Sequence, residues 1–249
     1  VPLEAVESPR LYRQIADQLR QLIDRREFPV GGRLPPEREL AEKLGVSRPS
    51  VREALIALEV EGRVRIRMGS GVYVTEAPRR KPAEPADLAE GPFELLKARE
   101  VVESAVCAEA GSQATPQNIA KLDDILTQME APGLSGDELI AFDRAFHVAI
   151  AGMLGNAVLA RFVGDLFDQR VNPYFQQLAS YFENDVSWRE AFGEHRAVRD
   201  AIASGSADKA RDAMRWHLKQ SQERFSQSFG DGRAASGQES VDACPPGKN

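Results

Sequence analysis

The chain has 249 residues, 42% of them hydrophobic, enough for one large or two modest domains with a real core. It has no run of eighteen apolar residues, and its opening VPLEAVESPR carries neither a basic nor an apolar signal segment, so a membrane span and export are not expected and the cytoplasm is the expected compartment. The net charge of −6 divides unevenly: residues 1–80 hold 15 Lys and Arg against 12 Asp and Glu (+3), leaving 17 against 26 (−9), so only the front is suited to a polyanion.

The first elements are helical. In PRLYRQIADQLRQLIDRR, residues 9–26, Leu11, Ile15, Leu19 and Leu22 recur at helical spacing, and FPVGG ends the helix. PERELAEKLG predicts a short helix stopped at Gly45. Ser47 then caps a third helix, RPSVREALIALEVEG, with Val51, Leu55 and Leu58 inward and Pro49 tolerated in its first turn. RVRIRMGSGVYV alternates with period two around Gly69, Ser70 and Gly71, the pattern of a β-hairpin. Helix, helix-turn-helix and hairpin make a winged helix-turn-helix.

On the third helix Arg48 and Arg52, with Ser50 between them, lie on one face near the end that enters the major groove in this motif. An arginine fork on guanine O6 and N7 is worth roughly 1–3 kcal/mol of discrimination. Arg38 on the preceding helix can add a phosphate or base contact, and Gly69 and Gly71 let the wing backbone approach a duplex. Any one of these arginines is as well explained by a solvated salt bridge to Glu42 or Glu53. Their coincidence on a helix-turn-helix favours DNA.

Residues 11–74, LYRQIADQLRQLIDRREFPVGGRLPPERELAEKLGVSRPSVREALIALEVEGRVRIRMGSGVYV, resemble the DNA-binding domain of the GntR family of bacterial transcription regulators almost throughout. The resemblance implies operator contacts from Arg38, Arg48, Ser50, Arg52 and Gly69, and a homodimer on a palindromic double-stranded operator. Many members have Ser where Pro36 stands, so the second helix is expected to lack a side-chain cap.

EAPRRKPAEPADLAE, rich in Pro, Ala and charge, separates two segments and predicts a linker over 77–90 between domains at 8–76 and 91–228. From Phe229 the chain loses apolar periodicity, and 229–249 is expected to be a disordered tail. Cys107 and Cys244 are far apart in sequence, the second in that tail, so reduced thiols are expected.

Between linker and tail, helical patterns follow one another with hardly a strand signal, predicting an all-α bundle and a mainly α protein overall. Leu139, Phe146, Ile150 and Leu154 form one stripe, yet Asp143 and His147 share it. Trp188, Phe192, Val198 and Ile202 form another that includes His195; Ala210, Met214, Leu218 and Phe225 form a third with His217 beside it. Singly, an inward histidine is more often a satisfied core residue, and an Asp–His pair one turn apart a hydrogen bond. Three helices that each spend an inner position on such a group are harder to explain without a shared partner, because buried polar groups are costly.

Three imidazoles and a carboxylate suit a divalent ion, Zn first, with Ni and Mn also compatible. Four protein ligands leave an octahedral ion open positions for a small carboxylate or hydroxyl. Arg99, on the stripe of Leu95, Leu96, Val102 and Val106, could clamp a carboxylate; a salt bridge to Glu103 is the alternative.

The stretch 91–228 resembles the all-helical FCD effector domain of the FadR-type branch of the GntR family. That resemblance implies a metal at Asp143, His147, His195 and His217 and marks Asn156 as a recurrent position, which otherwise only terminates a helix. SRPSVREALIALEVEG, GPFELLKARE and FVGDLFDQRVNPYF resemble regulators of glucuronate and galacturonate use, implying a sugar-acid effector, a hexuronate, and a repressor. Two other readings stand beside it: a metal-dependent enzyme on sugar acids, and a metal-free helical domain. Against an enzyme, the chain has no HExxH, no spare histidine for a general base and no Gly-rich phosphate loop.

Overall fold

Leu11–Asp24 forms the first helix, α1, which buries Tyr12, Ile15, Ala16, Leu19 and Ile23 and leaves Leu11 exposed. The inner face is thus centred one position away from the Leu11–Leu22 register, because Tyr12 and Ile23 offer more apolar surface along the line of Ile15 and Leu19. The structure is a computed structural model and describes residues 10–76 and 90–226. Most of the expected linker and the expected tail, with Cys244, lie outside the described residues.

Helix α2, Glu37–Leu44, ends on Gly45 in the left-handed region (φ 66°), a conformation that glycine adopts without a Cβ penalty. Pro36 provides it with no side-chain cap, as expected. Helix α3, Arg48–Val60, starts where Ser47 Oγ accepts from the Ser50 amide at 3.3 Å. Strands β1, Val64–Arg67, and β2, Gly71–Val74, pair antiparallel with Val64 opposite Val74 and Arg67 opposite Gly71. Val64, Ile66, Val72 and Val74 turn inward, as the alternation requires.

The second part is helical throughout: α4 (Pro92–Ser112), α5 (Pro116–Met129), α6 (Gly136–Gly152), α7 (Ala157–Asp168), a 3₁₀ turn (Gln169–Val171), α8 (Pro173–Phe182), α9 (Asp185–Ala203) and α10 (Ala207–Phe225). Thr115, Ser135, Asn156, Asn172, Asn184 and Ser206 cap successive helices, which is why the boundaries are sharp. Helix α10 lies along α4, and the approach is close because Gly111 has no Cβ; one there would stand 2.8 Å from Ala210 Cβ. α9 packs on α10 and α5, and α6 packs between α5 and α7. Among the described residues no helix is long and apolar enough to cross a membrane.

The sequence suggests two separately cored segments, yet one apolar core runs through both. Tyr12, Leu55 and Leu58 belong to the same cluster as Leu95, Tyr174, Phe175, Phe182 and Phe225. The cause lies in α3, where Ala54, Leu55, Ile56, Ala57 and Leu58 are all buried, so the helix needs a partner on two sides. α1 covers one side and α8 another. A second core, with Leu122, Met129, Phe146, Ile150, Val198, Ile202 and Met214, fills the bundle.

Candidate functional site

Three helices bring the singled-out polar residues to one point. α6 contributes Asp143 and His147, α9 His195 and α10 His217, all buried, with one ligand atom of each within 4.8 Å of the others. Asp143 Oδ1 lies 3.2 Å from His147 Nε2 and 3.1 Å from His195 Nε2. These three atoms are shut off from solvent and none is aligned in a hydrogen bond. Ligands held about 2.1 Å from a common ion stand roughly 3.0–3.4 Å apart when they are neighbours in its coordination sphere. The spacing and the orphaned atoms both fit a divalent ion, because leaving such atoms unpaired costs about 1–3 kcal/mol apiece.

Two of the three imidazoles have a carboxylate at the outer nitrogen, whereas His195 Nδ1 is buried without a hydrogen-bond partner. The Glu103 carboxylate reaches to 2.5 Å from His147 Nδ1, and Glu194 Oε2 to 2.8 Å from His217 Nδ1. Arg170 Nη1 donates to Asp143 Oδ2 at 2.9 Å, leaving Oδ1 to face the imidazoles. The hydrogen bond to Glu194 fixes the His217 tautomer and aims its inner nitrogen at the shared point, and the Glu103 carboxylate stands close beside His147 without being aligned in a hydrogen bond. The electrostatics differ among the three imidazoles: against its burial, Glu103 and Asp143 raise His147, whereas His195 and His217 are lowered. Burial alone raises the Glu103 carboxyl, but Arg99 and His147 outweigh it and hold it at about 2. Asp143 is likewise driven well below the usual carboxylate range, against its burial, by His147 and His195. Burial lowers His195, and burial together with the neighbouring His195 lowers His217 to about 3, so both imidazoles are neutral, the ligating form.

A cavity opens beside the cluster, lined by Asp143, His195 and His217 and by three arginines, Arg99, Arg170 and Arg224. Arg99 Nε donates to Glu103 Oε1 at 2.7 Å, so the salt bridge considered as its alternative exists, but inside the bundle. Its Nη2 is buried without a hydrogen-bond partner. Asn156 is elsewhere: exposed, it caps α7 by accepting from the amides of Val158 and Leu159, and does not line this cavity. Sequence reasoning missed Arg170, Arg224, Glu103 and Glu194 as partners of the site. Arg224 lies seven residues after His217, and Glu103 seven after Leu96, so helical periodicity could have found both. Arg170 sits in the 3₁₀ turn, where no period sets a direction.

The other candidate surface is the outer face of α2, α3 and the wing. Arg38 is 75% exposed, and Arg48, at the N-terminus of α3, 42%. Ser50 Oγ lies 2.8 Å from Ser47 Oγ in the capped first turn. Gly69 (φ +70°) forms the wing tip, with open space where a side chain would be. Arg52 differs from the sequence expectation. It is 2% exposed, forked onto Glu37 at 2.9 and 2.6 Å, and donates through Nη1 to the carbonyl of Phe225. In this arrangement it faces the bundle, not the outer surface that Arg38 and Arg48 share.

Comparison with known proteins agrees with both halves. Residues 11–74 match the bacterial regulatory proteins of the gntR family, and residues 94–220 match the FCD domain. The Uxu operon regulator of Haemophilus influenzae is 38% identical over 215 residues, 84% of this chain and 80% of that one. The Uxu operon transcriptional regulator of Escherichia coli K12 is 36% identical over 236 residues, 89% of each chain. The Exu regulon transcriptional regulator of the same strain is 36% identical over 224 residues, 87% of this chain and 85% of that one. The chain belongs to the GntR family of bacterial regulatory proteins, in the branch that carries an FCD domain, and is a transcription regulator rather than an enzyme.

Proposed function

We propose that this regulator is a cytoplasmic, homodimeric repressor that binds a palindromic operator through Arg38, Arg48, Ser50, Arg52 and the wing at Gly69. A small acid controls it from the helical domain. Asp143, His147, His195 and His217 hold a divalent ion, Zn or a close substitute, which supplies a Lewis-acid anchor for effector oxygens. Arg99, whose Nη2 has no hydrogen-bond partner, takes the effector's carboxylate, with Arg170 and Arg224 beside it on the cavity wall, already paired to Asp143 and Glu183 and to Glu194.

The observation that carries this reading is the cluster of four buried ligand atoms, of which Asp143, His195 and His217 line a cavity together with three arginines. A carboxylate with neighbouring hydroxyls matches such a pair of anchors, which favours a sugar acid over a monofunctional acid. The Uxu and Exu names of the relatives support a hexuronate. The cavity is open on one side, where the partly exposed Trp188 and Arg224 line it, so a small acid can enter there.

Two substitutions test the division of labour. Arg48→Ala weakens binding to an operator duplex by about 1–3 kcal/mol and leaves metal content unchanged. His217→Ala loses metal and the thermal shift with D-glucuronate or D-galacturonate, while duplex binding survives. Loss of duplex binding in a folded His217→Ala protein, or retention of its metal, contradicts the proposal.

A further inference from the structure

Helix α3 is tied to both the first and the last helix of the bundle. Glu53 Oε1 accepts from the amide of Phe93 at 2.8 Å and lies 3.4 Å from that of Glu94. These amides belong to the first turn of α4, whose N-cap, Gly91, has no side chain to offer. A Cβ on Gly91 would stand 2.5 Å from Glu53 Oε1, so the glycine leaves open the space that this carboxyl fills. One residue earlier in α3, Arg52 Nη1 donates at 2.9 Å to the carbonyl of Phe225, the last residue of α10. Carbonyls at that position have no partner within their own helix. An acid at a helix N-terminus and a guanidinium at a C-terminus both meet the favourable end of the helix dipole.

The two helices capped in this way carry Arg99 and Glu103 (α4) and His217 (α10). The last turn of α10 also presents Ser221, Arg224 and Phe225 to the cavity. Its side chains therefore face the effector space while its final carbonyl holds an arginine of the DNA-facing helix.

We propose that Arg52 and Glu53 form a latch that fastens α3 to the bundle, and that the latched form does not engage DNA through Arg52. Held by Glu37 at Nε and Nη2 and by the carbonyl of Phe225 at Nη1, the Arg52 guanidinium is 2% exposed and out of reach of a duplex while these contacts last. This rests on α3 being the DNA-reading helix. Contacts that stiffen the last turn of α10, an acid in the cavity beside Arg224 among them, favour the latched form and lower operator affinity.

The test uses the full chain, with Glu53→Ala and Gly91→Ala breaking the contact from opposite sides. Amide hydrogen exchange at Phe93 and Glu94 reports the latch. A duplex selected by the wild-type chain from a randomised pool reports DNA affinity. Both variants are expected to exchange faster at these amides and to bind the duplex more tightly by about fivefold or more. Faster exchange with unchanged or weaker duplex binding overturns the latch as a switch, and unchanged exchange overturns the latch itself. If the wild-type chain enriches no duplex, the DNA reading of α3 fails and the switch with it, while amide exchange still decides the contact. Should Glu53→Ala not fold, Glu53→Gln keeps one acceptor and is expected to shift both readouts in the same direction, less far.

Discussion

At the residue scale, the buried carboxylates matter as much as the imidazoles they brace. Glu103 and Glu194 touch the outer nitrogens of His147 and His217, so Glu103→Gln and Glu194→Gln should each weaken metal binding by about 10- to 100-fold, measured by competition with a chelator. Affinity unchanged in both would mean that the carboxylates serve packing alone. Arg52 teaches a different lesson. Its buried pairing with Glu37 means that Arg52→Ala strands a charge at a cost of about 3–5 kcal/mol, so its effect on operator binding is confounded with folding. Arg48, half-buried at the start of the same helix and 3.7 Å from Glu37 in a looser pair, is the cleaner probe. The sequence placed both arginines on one helical face; it held no sign that Glu37 would reach both, forking Arg52 and standing 3.7 Å from Arg48, or that Phe225 would hold Arg52, since the Arg52 contacts span 15 and 173 residues.

At the element scale, α3 sits between a DNA-binding unit and a receptor, and Glu53 shows what that position entails. Burial, opposed by the amides of Phe93 and Glu94 and by Arg10 and reinforced by Glu94, raises its carboxyl from 4.5 to about 7. The folded chain therefore holds more protons than the unfolded one between those values. This contribution to stability is greatest below 4.5, falls as pH rises to about 7 and then levels off, by on the order of 3 kcal/mol. Urea melts at about pH 5 and about pH 8 should show this loss in the wild-type chain and not in Glu53→Gln. Equal pH dependence in the two proteins would contradict it. Helix identities and caps were legible because spacing and Ser, Thr or Asn caps are local signals. The α3 spacing predicts one inward face, Val51, Leu55 and Leu58, whereas Ala54 to Leu58 are all buried and need a second partner. Which helix that partner is, α8, depends on tertiary packing that no periodicity encodes.

At the scale of the whole molecule, a single core joins the winged helix to the bundle, so the site and the DNA-facing surface belong to one packed body. The meeting of Asp143, His147, His195 and His217 was foreseeable from three inward-facing stripes and proved compact. Of the arginines that line the cavity beside it, Arg99 and Arg224 lie on helical stripes that periodicity reaches, whereas Arg170 sits in the 3₁₀ turn, where no period sets a direction. Joining metal, acid and operator in one device makes a demand that a merely structural cluster does not. The most direct measurement is the affinity of metal-loaded protein for its selected duplex, with and without D-glucuronate or D-galacturonate, beside the same titration on His195→Ala. A uronate should weaken duplex binding by the wild-type chain by about fivefold or more and leave the variant unmoved. No shift with either acid, or an equal shift in His195→Ala, would contradict the account.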